Sequence, residues 1–132
     1  FLADRELAAC LAQAARQAQQ DAPLDEATRA RFGLSEPLRI HQGPIARGDR
    51  FAPRADESAT LRAALPDAMA VEMEAAAVAQ VCHDHGVPFA AVRNISDRAD
   101  DQAHVDFGAY IEEVAGRQAR SLIAALLPLL PP

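Results

Sequence analysis

The sequence predicts an α/β fold built on a parallel sheet, and three features carry this prediction. Residues 70–73 form a short apolar run that leads into AAAVAQVC, whose apolar residues recur at helical spacing. Gly86 suits the left-handed position after a helix, and Pro88 prevents the helix from continuing. Residues 89–92 are a second apolar run without polar alternation, which is typical of a strand buried on both faces of a parallel sheet. The order is therefore strand, helix, strand.

Polar side chains follow both predicted strands. In a right-handed βαβ crossover the two strands point the same way, so these side chains emerge at one carboxyl edge of the sheet. Open α/β sheets bind ligands at that edge. The residues concerned are Glu72, Glu74, Arg93, Ser96 and Asp97. Strict alternation places Glu72 on the same face as Glu74, but the strand ends here and the role of Glu72 stays open.

The first part of the chain predicts two helices. Leu7, Leu11, Ala14 and Ala18 mark the buried face of a helix over residues 4–20. Its polar face is predicted to be solvated surface: Arg5, Gln13, Arg16, Gln17 and Gln20. Asp25 follows a helix-breaking proline and is predicted to cap a short second helix that ends at Gly33. Residues 21–37 are interpreted as a variable insertion without a predicted role.

The remaining elements follow from apolar runs and breakers. Residues 38–46 predict a strand, and residues 55–65 a short helix stopped by Pro66. A closing helix is predicted over residues 105–127, before the proline-rich end. Its apolar face is expected to pack on the sheet: Val114, Ala119, Leu122, Ile123 and Leu126.

Composition limits the function classes. The 132 residues are 50% hydrophobic, enough for one domain with a modest core. With 19 acidic and 13 basic residues the net charge is −6 and no basic run occurs, which disfavours nucleic acid and anionic membrane surfaces as partners. No apolar run has the length of a membrane span, and the charges after residue 3 are not typical of a signal peptide. Cys10 and Cys82 are predicted to be buried free thiols in a reducing cytoplasm.

Other motifs are weak. The segment Cys82-His83-Asp84-His85 contains metal-ligand residue types, but only Cys82 and His85 share a helix face, so we predict no metal site. The sequence contains no Walker loop, GxGxxG or GxSxG motif, which leaves dinucleotide-binding and serine-hydrolase interpretations without support.

Two motifs together resemble a known family. VEMEAAAVAQVC at residues 71–82, followed by VPFAAVRNISD at residues 87–97, resembles the bacterial 5′-methylthioadenosine/S-adenosylhomocysteine nucleosidases of the purine nucleoside phosphorylase superfamily. The resemblance covers residues 43–127 and includes GDRF at 48–51 and HVDF at 104–107. It implies a three-layer α/β sandwich of the phosphorylase/hydrolase-like type. Because the family's proteins are longer by about a second copy of this length, residues 1–132 would be the C-terminal portion of a single domain.

The resemblance implies hydrolysis of the adenine N-glycosidic bond, without a metal or organic cofactor. Asp97 would be the catalytic acid. Protonation at the purine N7 lets the base leave neutral, a step worth roughly 10²- to 10⁴-fold in rate. The acid must hold its proton near neutral pH, which a partly desolvated pocket favours.

The same resemblance implies the substrate contacts. Glu74 would accept hydrogen bonds from both hydroxyls of the ribose diol and place negative charge near the developing cation. Arg93 would orient a glutamate, and Met73 would supply a polarisable contact. The full set of implied substrate-binding residues is Phe51 on the purine, Ala52 at the adenine edge, Met73, Glu74, Arg93, Ser96, and Phe107 at the 5′ substituent.

Several alternatives stay open. On the residues alone, Glu72, Glu74 and Arg93 also fit a structural ion-pair cluster, and Phe51 and Phe107 fit core positions. Phosphorolysis shares the sugar-binding glutamate and differs in its nucleophile site, which the resemblance places before Phe1. A third possibility is a non-catalytic fragment that carries only the base pocket. Relatives are commonly homodimers, so a homodimer that binds a small purine nucleoside in the cytoplasm is expected.

Overall fold

The computed structural model of the protein describes residues 1–34, 37–47, 55–96 and 107–131. These residues form two compact units. The first, here called the sheet unit, comprises Phe1–Asp4 and His41–His104. The second, the helical unit, comprises Arg5–Ile40 and Val105–Pro132. None of the helices in the described ranges has the length and apolar character needed to cross a membrane.

Within its described residues, the sheet unit contains two strands and two helices. Strand β1 (Ile45–Arg47) pairs in parallel with strand β2 (Ala70–Glu72), in a register that sets Ile45 beside Ala70 and Arg47 beside Glu72. Helix α3 (Ala55–Ala64) connects the strands, and helix α4 (Ala75–Asp84) follows β2 after two residues. The predicted helix at 55–65 and the predicted strand-to-helix passage at residue 74 are both confirmed.

Helix α4 ends as its sequence predicts. Gly86 has φ of 65°, a left-handed conformation that favours glycine. The Val87 amide donates to the Cys82 carbonyl at 2.8 Å, and the Gly86 amide donates to the His83 carbonyl at 3.2 Å. This pair of bonds is a Schellman motif, which satisfies carbonyls that a helix end leaves without intrahelical partners.

The predicted strand at residues 89–92 is wrong, and the one at 38–46 is reduced to residues 45–47. A strand requires a ladder of hydrogen bonds to a neighbour, and an apolar run does not reveal whether such a neighbour exists. At this place the Asp4 amide donates to the Phe89 carbonyl at 2.7 Å, a contact outside any strand ladder of the described residues. Of the predicted βαβ unit, the described residues therefore retain the first strand and the helix.

The helical unit is built from two segments of the chain. The first contributes α1 (Arg5–Asp21) and α2 (Glu26–Phe32). The second begins with α5 (Phe107–Tyr110), continues through a π-helical turn (Ile111–Ala115) into α6 (Gly116–Leu126), and ends in a 3₁₀ turn (Leu127–Leu129). The predicted helix at 105–127 is thus one nearly continuous helical segment with an irregular turn, and residues 105 and 106 lie outside the described ranges.

Helix α1 packs against α6. Its buried residues are Ala12, Ala14 and Ala18, two of which the helical spacing predicts, and the predicted polar face is exposed. The face predicted for the closing helix is only partly correct. Val114 is buried, whereas Ala119 and Ile123 are exposed, because the partner of α6 in this unit is a helix that contacts a narrower stripe than a sheet would.

Residues 21–37, for which the sequence predicts no role, supply much of this unit's core. Asp25 caps α2 as predicted: its carboxylate accepts from the Thr28 amide at 2.8 Å and from the Thr28 hydroxyl at 2.8 Å. Gly33 ends the helix with φ of 61°. Leu24 is buried in a cluster with Tyr110 and Val114, and further apolar side chains pack against it: Phe32, Leu34, Leu38 and Ala115.

Both cysteines are free thiols, but each is half-buried rather than buried. The Cys10 thiol lies 3.2 Å from the Leu129 carbonyl oxygen, a contact between α1 and the final turn of the helical unit. Cys82 lies in the last turn of α4.

Candidate functional site

The candidate site is the junction between β2 and α4. The strand ends at Glu72 and the helix begins at Ala75, so Met73 and Glu74 form the whole connection. Glu74 occupies the N-cap position with φ of −116° and ψ of −36°, and its side chain makes no capping hydrogen bond. This is unusual for an acidic N-cap residue, whose oxygen normally accepts from the first helical amides.

Glu72 performs that capping instead. Its Oε2 accepts from the Glu74 amide at 2.8 Å and from the Ala75 amide at 2.6 Å. The residue is only 5% exposed, so its charged side chain is buried. Burial alone would raise the pKa of the Glu72 carboxyl, but the two backbone amides, aided by the charge of Arg93, outweigh it and lower the pKa below its ordinary value. Glu72 is therefore held as a carboxylate.

Glu74 has a different environment. Its Oε2 lies 3.4 Å from Nη1 of Arg93, and the two side chains are 70% and 48% exposed. Strict alternation wrongly places both glutamates on one face, because the strand ends at Glu72 and the chain turns into the helix. The structure brings Glu74 and Arg93 together, and it leaves the Glu74 carboxylate open to solvent.

Arg47 is a further residue at this junction that the sequence does not single out. Its Nε donates to the Met73 carbonyl at 3.3 Å, which ties the end of β1 to the connection after β2. The Met73 side chain is 41% exposed. The spacing of Glu72 does indicate a helix cap: it precedes Ala75 by three residues, and Asp25 caps the Thr28 amide at the same spacing. No comparable signal identifies Arg47, whose contact depends on the pairing of two distant strands.

The remaining predicted site residues are Ser96, Asp97, Phe51, Ala52 and Phe107. Ser96 is exposed at the end of the described segment 55–96. Asp97, Phe51 and Ala52 lie outside the described residues. Phe107 is the first residue of α5 in the helical unit and is 59% exposed, so it is not part of that unit's buried core.

Within the ranges that the structure describes, no three side chains of His, Cys, Asp or Glu come together in a manner that would hold a metal ion. The His83 ring lies 5.5 Å from the Phe1 ring, centroid to centroid, and its Nδ1 is 3.4 Å from the Asp84 carboxylate.

The geometry of this junction indicates which ligand groups it can bind. An exposed carboxylate next to a guanidinium, on a rigid strand-to-helix connection, can accept hydrogen bonds from two neighbouring hydroxyls of a ligand. The half-exposed Met73 beside it offers a polarisable apolar contact. The junction is thus typical of α/β proteins that bind polar small molecules where parallel strands end.

Comparisons with known proteins define the class further. The sequence model of the phosphorylase superfamily matches residues 1–128. A 5′-methylthioadenosine/S-adenosylhomocysteine nucleosidase of Hydrogenovibrio crunogenus is 42% identical over 106 residues, which are 80% of this chain and 45% of that protein. The nucleosidase of the same name from Shewanella denitrificans is 38% identical over 107 residues, 81% of this chain and 46% of its own length.

Two solved nucleosidase structures are similar to this chain. The 5′-methylthioadenosine/S-adenosylhomocysteine nucleosidase of Neisseria meningitidis, in complex with methylthio-immucillin-A, superposes with a TM-score of 0.72 at 32% identity, over 98% of this chain and 48% of that one. The S-adenosylhomocysteine nucleosidase of Streptococcus pyogenes, in complex with 5-methylthiotubericidin, gives a TM-score of 0.73 at 30% identity, over 100% and 48% of the respective chains.

This chain belongs to the phosphorylase superfamily. It spans about half the length of the nucleosidases that it matches. The resemblance given by residues 71–97 is confirmed, as is the phosphorylase-like α/β fold at the level of helices with a small parallel sheet.

Proposed function

We propose that this chain carries the base- and ribose-binding part of a nucleosidase that hydrolyses the adenine N-glycosidic bond of 5′-methylthioadenosine and S-adenosylhomocysteine. The observation that carries the proposal is the exposed Glu74 carboxylate, 3.4 Å from Arg93 at the end of β2. The names of the relatives, and the nucleoside analogues bound in two solved structures, support this substrate class.

Glu74 accepts hydrogen bonds from the two ribose hydroxyls in this proposal. Negative charge at the diol favours the oxocarbenium character that the sugar develops as the C1′–N9 bond breaks. Arg93 limits the freedom of the Glu74 side chain, and Met73 contacts the sugar and base. The family resemblance supports contacts of Ser96 with the nucleoside, Phe51 with the purine, Ala52 with the adenine edge and Phe107 with the 5′ substituent.

Asp97 is the proposed general acid. It donates its proton to the purine N7 as the C1′–N9 bond breaks, so that adenine leaves as a neutral molecule; water adds its oxygen to C1′, and the proton that the water releases returns through solvent to the Asp97 carboxylate. Support comes from the position of Asp97 directly after the segment that ends in Arg93 and Ser96. The rest of the framework is also proposed: a three-layer sandwich of which residues 1–132 form the C-terminal portion, a homodimer, and a cytoplasmic location.

The test is release of adenine from methylthioadenosine by the purified chain, with and without phosphate. Release in both conditions supports a hydrolase, and release only with phosphate moves the assignment to the phosphorylase alternative. Asp97→Asn is expected to abolish most turnover while nucleoside binding stays measurable, because an amide cannot deliver the proton. Unchanged turnover in this variant would remove Asp97 from the mechanism.

A second candidate is a non-catalytic portion that needs another polypeptide. Its support is that another polypeptide could bury apolar side chains of the sheet unit that are about half exposed: Val78 at 51%, Val81 at 58%, Val87 at 53% and Val92 at 52%. No adenine release under either condition from a folded chain, together with measurable nucleoside binding, would select this candidate.

A further inference from the structure

Glu72 is the buried charge for which the proposed reaction has no use. The proposed reaction assigns it no contact with the ribose diol or the base, yet it is only 5% exposed. Burying a carboxylate is costly unless hydrogen bonds compensate it, so its partners identify its role. Both partners are backbone amides of the connection that carries Glu74.

The start of α4 has two possible capping groups. Glu74 occupies the N-cap position, and in an ordinary helix its own carboxylate would turn back to the first amides. The carboxylate of Glu72 takes those amides instead, at 2.8 Å and 2.6 Å. Glu74 then directs its side chain away from the helix and towards Arg93.

We propose that Glu72 is a positioning residue: by capping α4, it fixes the backbone of Glu74 and leaves the Glu74 carboxylate free to hold the ribose diol. This inference rests on the proposed function for the identity of the ligand, but not for the capping geometry. It gives the two glutamates of the VEME motif separate tasks, one structural and one ligand-binding.

The binding experiment compares 5′-methylthioadenosine with its 2′,3′-dideoxy counterpart by isothermal titration calorimetry, using the full chain with Asp97→Asn as the common background so that the nucleoside is not consumed during the titration. The dissociation constant of the dideoxy compound divided by that of 5′-methylthioadenosine isolates the contribution of the diol. Glu72→Ala is expected to lower this ratio by about tenfold while affinity for the dideoxy compound stays within about twofold, as expected for the loss of one well-placed hydrogen bond to a charged group. Glu72→Gln, whose amide oxygen still accepts from the two amides, is expected to restore most of the ratio.

Asp25→Ala is the matched control. It removes a cap of the same spacing from α2, where Asp25 accepts from the Thr28 amide at 2.8 Å. A general loss of stability would affect both variants, whereas positioning of Glu74 is affected only by Glu72→Ala. An unchanged ratio in Glu72→Ala, or an equal fall in Asp25→Ala, would overturn the proposal.

A second readout separates this proposal from the proposed function. Hydrogen exchange of the Glu74 and Ala75 amides, followed by NMR without ligand, is expected to accelerate by about tenfold in Glu72→Ala and to change little in Glu72→Gln. If the wild-type chain binds neither nucleoside, the proposed function fails. Faster exchange in Glu72→Ala would still show that the Glu72 carboxylate fixes the backbone of Glu74 through its hydrogen bonds. Unchanged exchange of both amides overturns the positioning role, whatever the calorimetry gives.

Discussion

The contact between Glu74 and Arg93 allows the ion-pair interpretation to be tested against the ligand-binding one. The perturbation is a double-mutant cycle of Glu74→Gln, Arg93→Gln and the double variant. At 3.4 Å the Coulomb attraction in a water-like dielectric is about 1 kcal/mol. Ordering two long side chains that are 70% and 48% exposed offsets part of it, so the coupling free energy should be about 0.5 kcal/mol.

The assay is urea denaturation of the four proteins, with the free energy of unfolding extrapolated to water. The pair Arg31–Glu113 in the helical unit serves as control, since it is also exposed, at 47% and 43%, and its N–O distance is 2.6 Å. A coupling for Glu74 and Arg93 above about 1.5 kcal/mol would refute the reasoning, because exposed pairs rarely reach it. The two residues would then be a structural ion pair, and the free carboxylate on which the diol assignment depends would not exist.

Two further predictions concern stability. Because the pKa of Glu72 is lower in the folded state, its contribution to the free energy of unfolding is complete above the unfolded-state pKa of about 4.5 and is lost as the pH falls through the folded-state pKa. Urea unfolding curves measured between about pH 5 and pH 2 should therefore show a smaller pH dependence in Glu72→Gln than in the wild type. Equal dependence would contradict the hold of the two amides on this carboxylate; Asp25, whose pKa the Thr28 amide and hydroxyl lower, is common to both proteins and cancels in the comparison. Gly33→Ala should destabilise the protein by about 1 kcal/mol because φ there is 61°. Gly108→Ala, in the helical α5 with open space around its Cβ position, should stabilise it by up to about 1 kcal/mol. Thermal unfolding measures both variants, and shifts of the same sign would argue against the left-handed cap at Gly33.

The features that the sequence predicts well are those determined by neighbouring residues. The Asp25 cap, the Gly33 and Gly86 helix ends and the start of α4 each depend on chemistry within five residues. A side chain that caps an amide three positions later needs no information from the rest of the chain. These predictions are confirmed for that reason.

The predictions that fail depend on distant partners. The apolar run at 89–92 has the composition of a buried strand, but a ladder requires a neighbour that composition does not specify. Residues 21–37 are interpreted from the sequence as an insertion because they carry no motif of the family that residues 71–97 resemble. They find their role only beside Tyr110 and Val114, more than 70 positions later in the chain.

The sequence predicts the residue types of the candidate site better than it predicts their arrangement. The pairing of Glu74 with Arg93 agrees with the sequence, whereas the role of Glu72, which strand alternation leaves open, depends on hydrogen bonds to amides that follow the strand. Residues just after a strand have no alternation to follow, since the pleat ends with the last ladder hydrogen bond.

The occupied start of α4 also bears on the choice between water and phosphate as nucleophile. Helix N-termini bind phosphate through free backbone amides and the positive end of the helix dipole. At α4 the amides of Glu74 and Ala75 already donate to the Glu72 carboxylate, and the Glu74 carboxylate adds a second negative charge beside them. A phosphate at this junction would have to displace one carboxylate and lie against the other. This strand end is therefore better suited to a neutral polar ligand than to a phosphate.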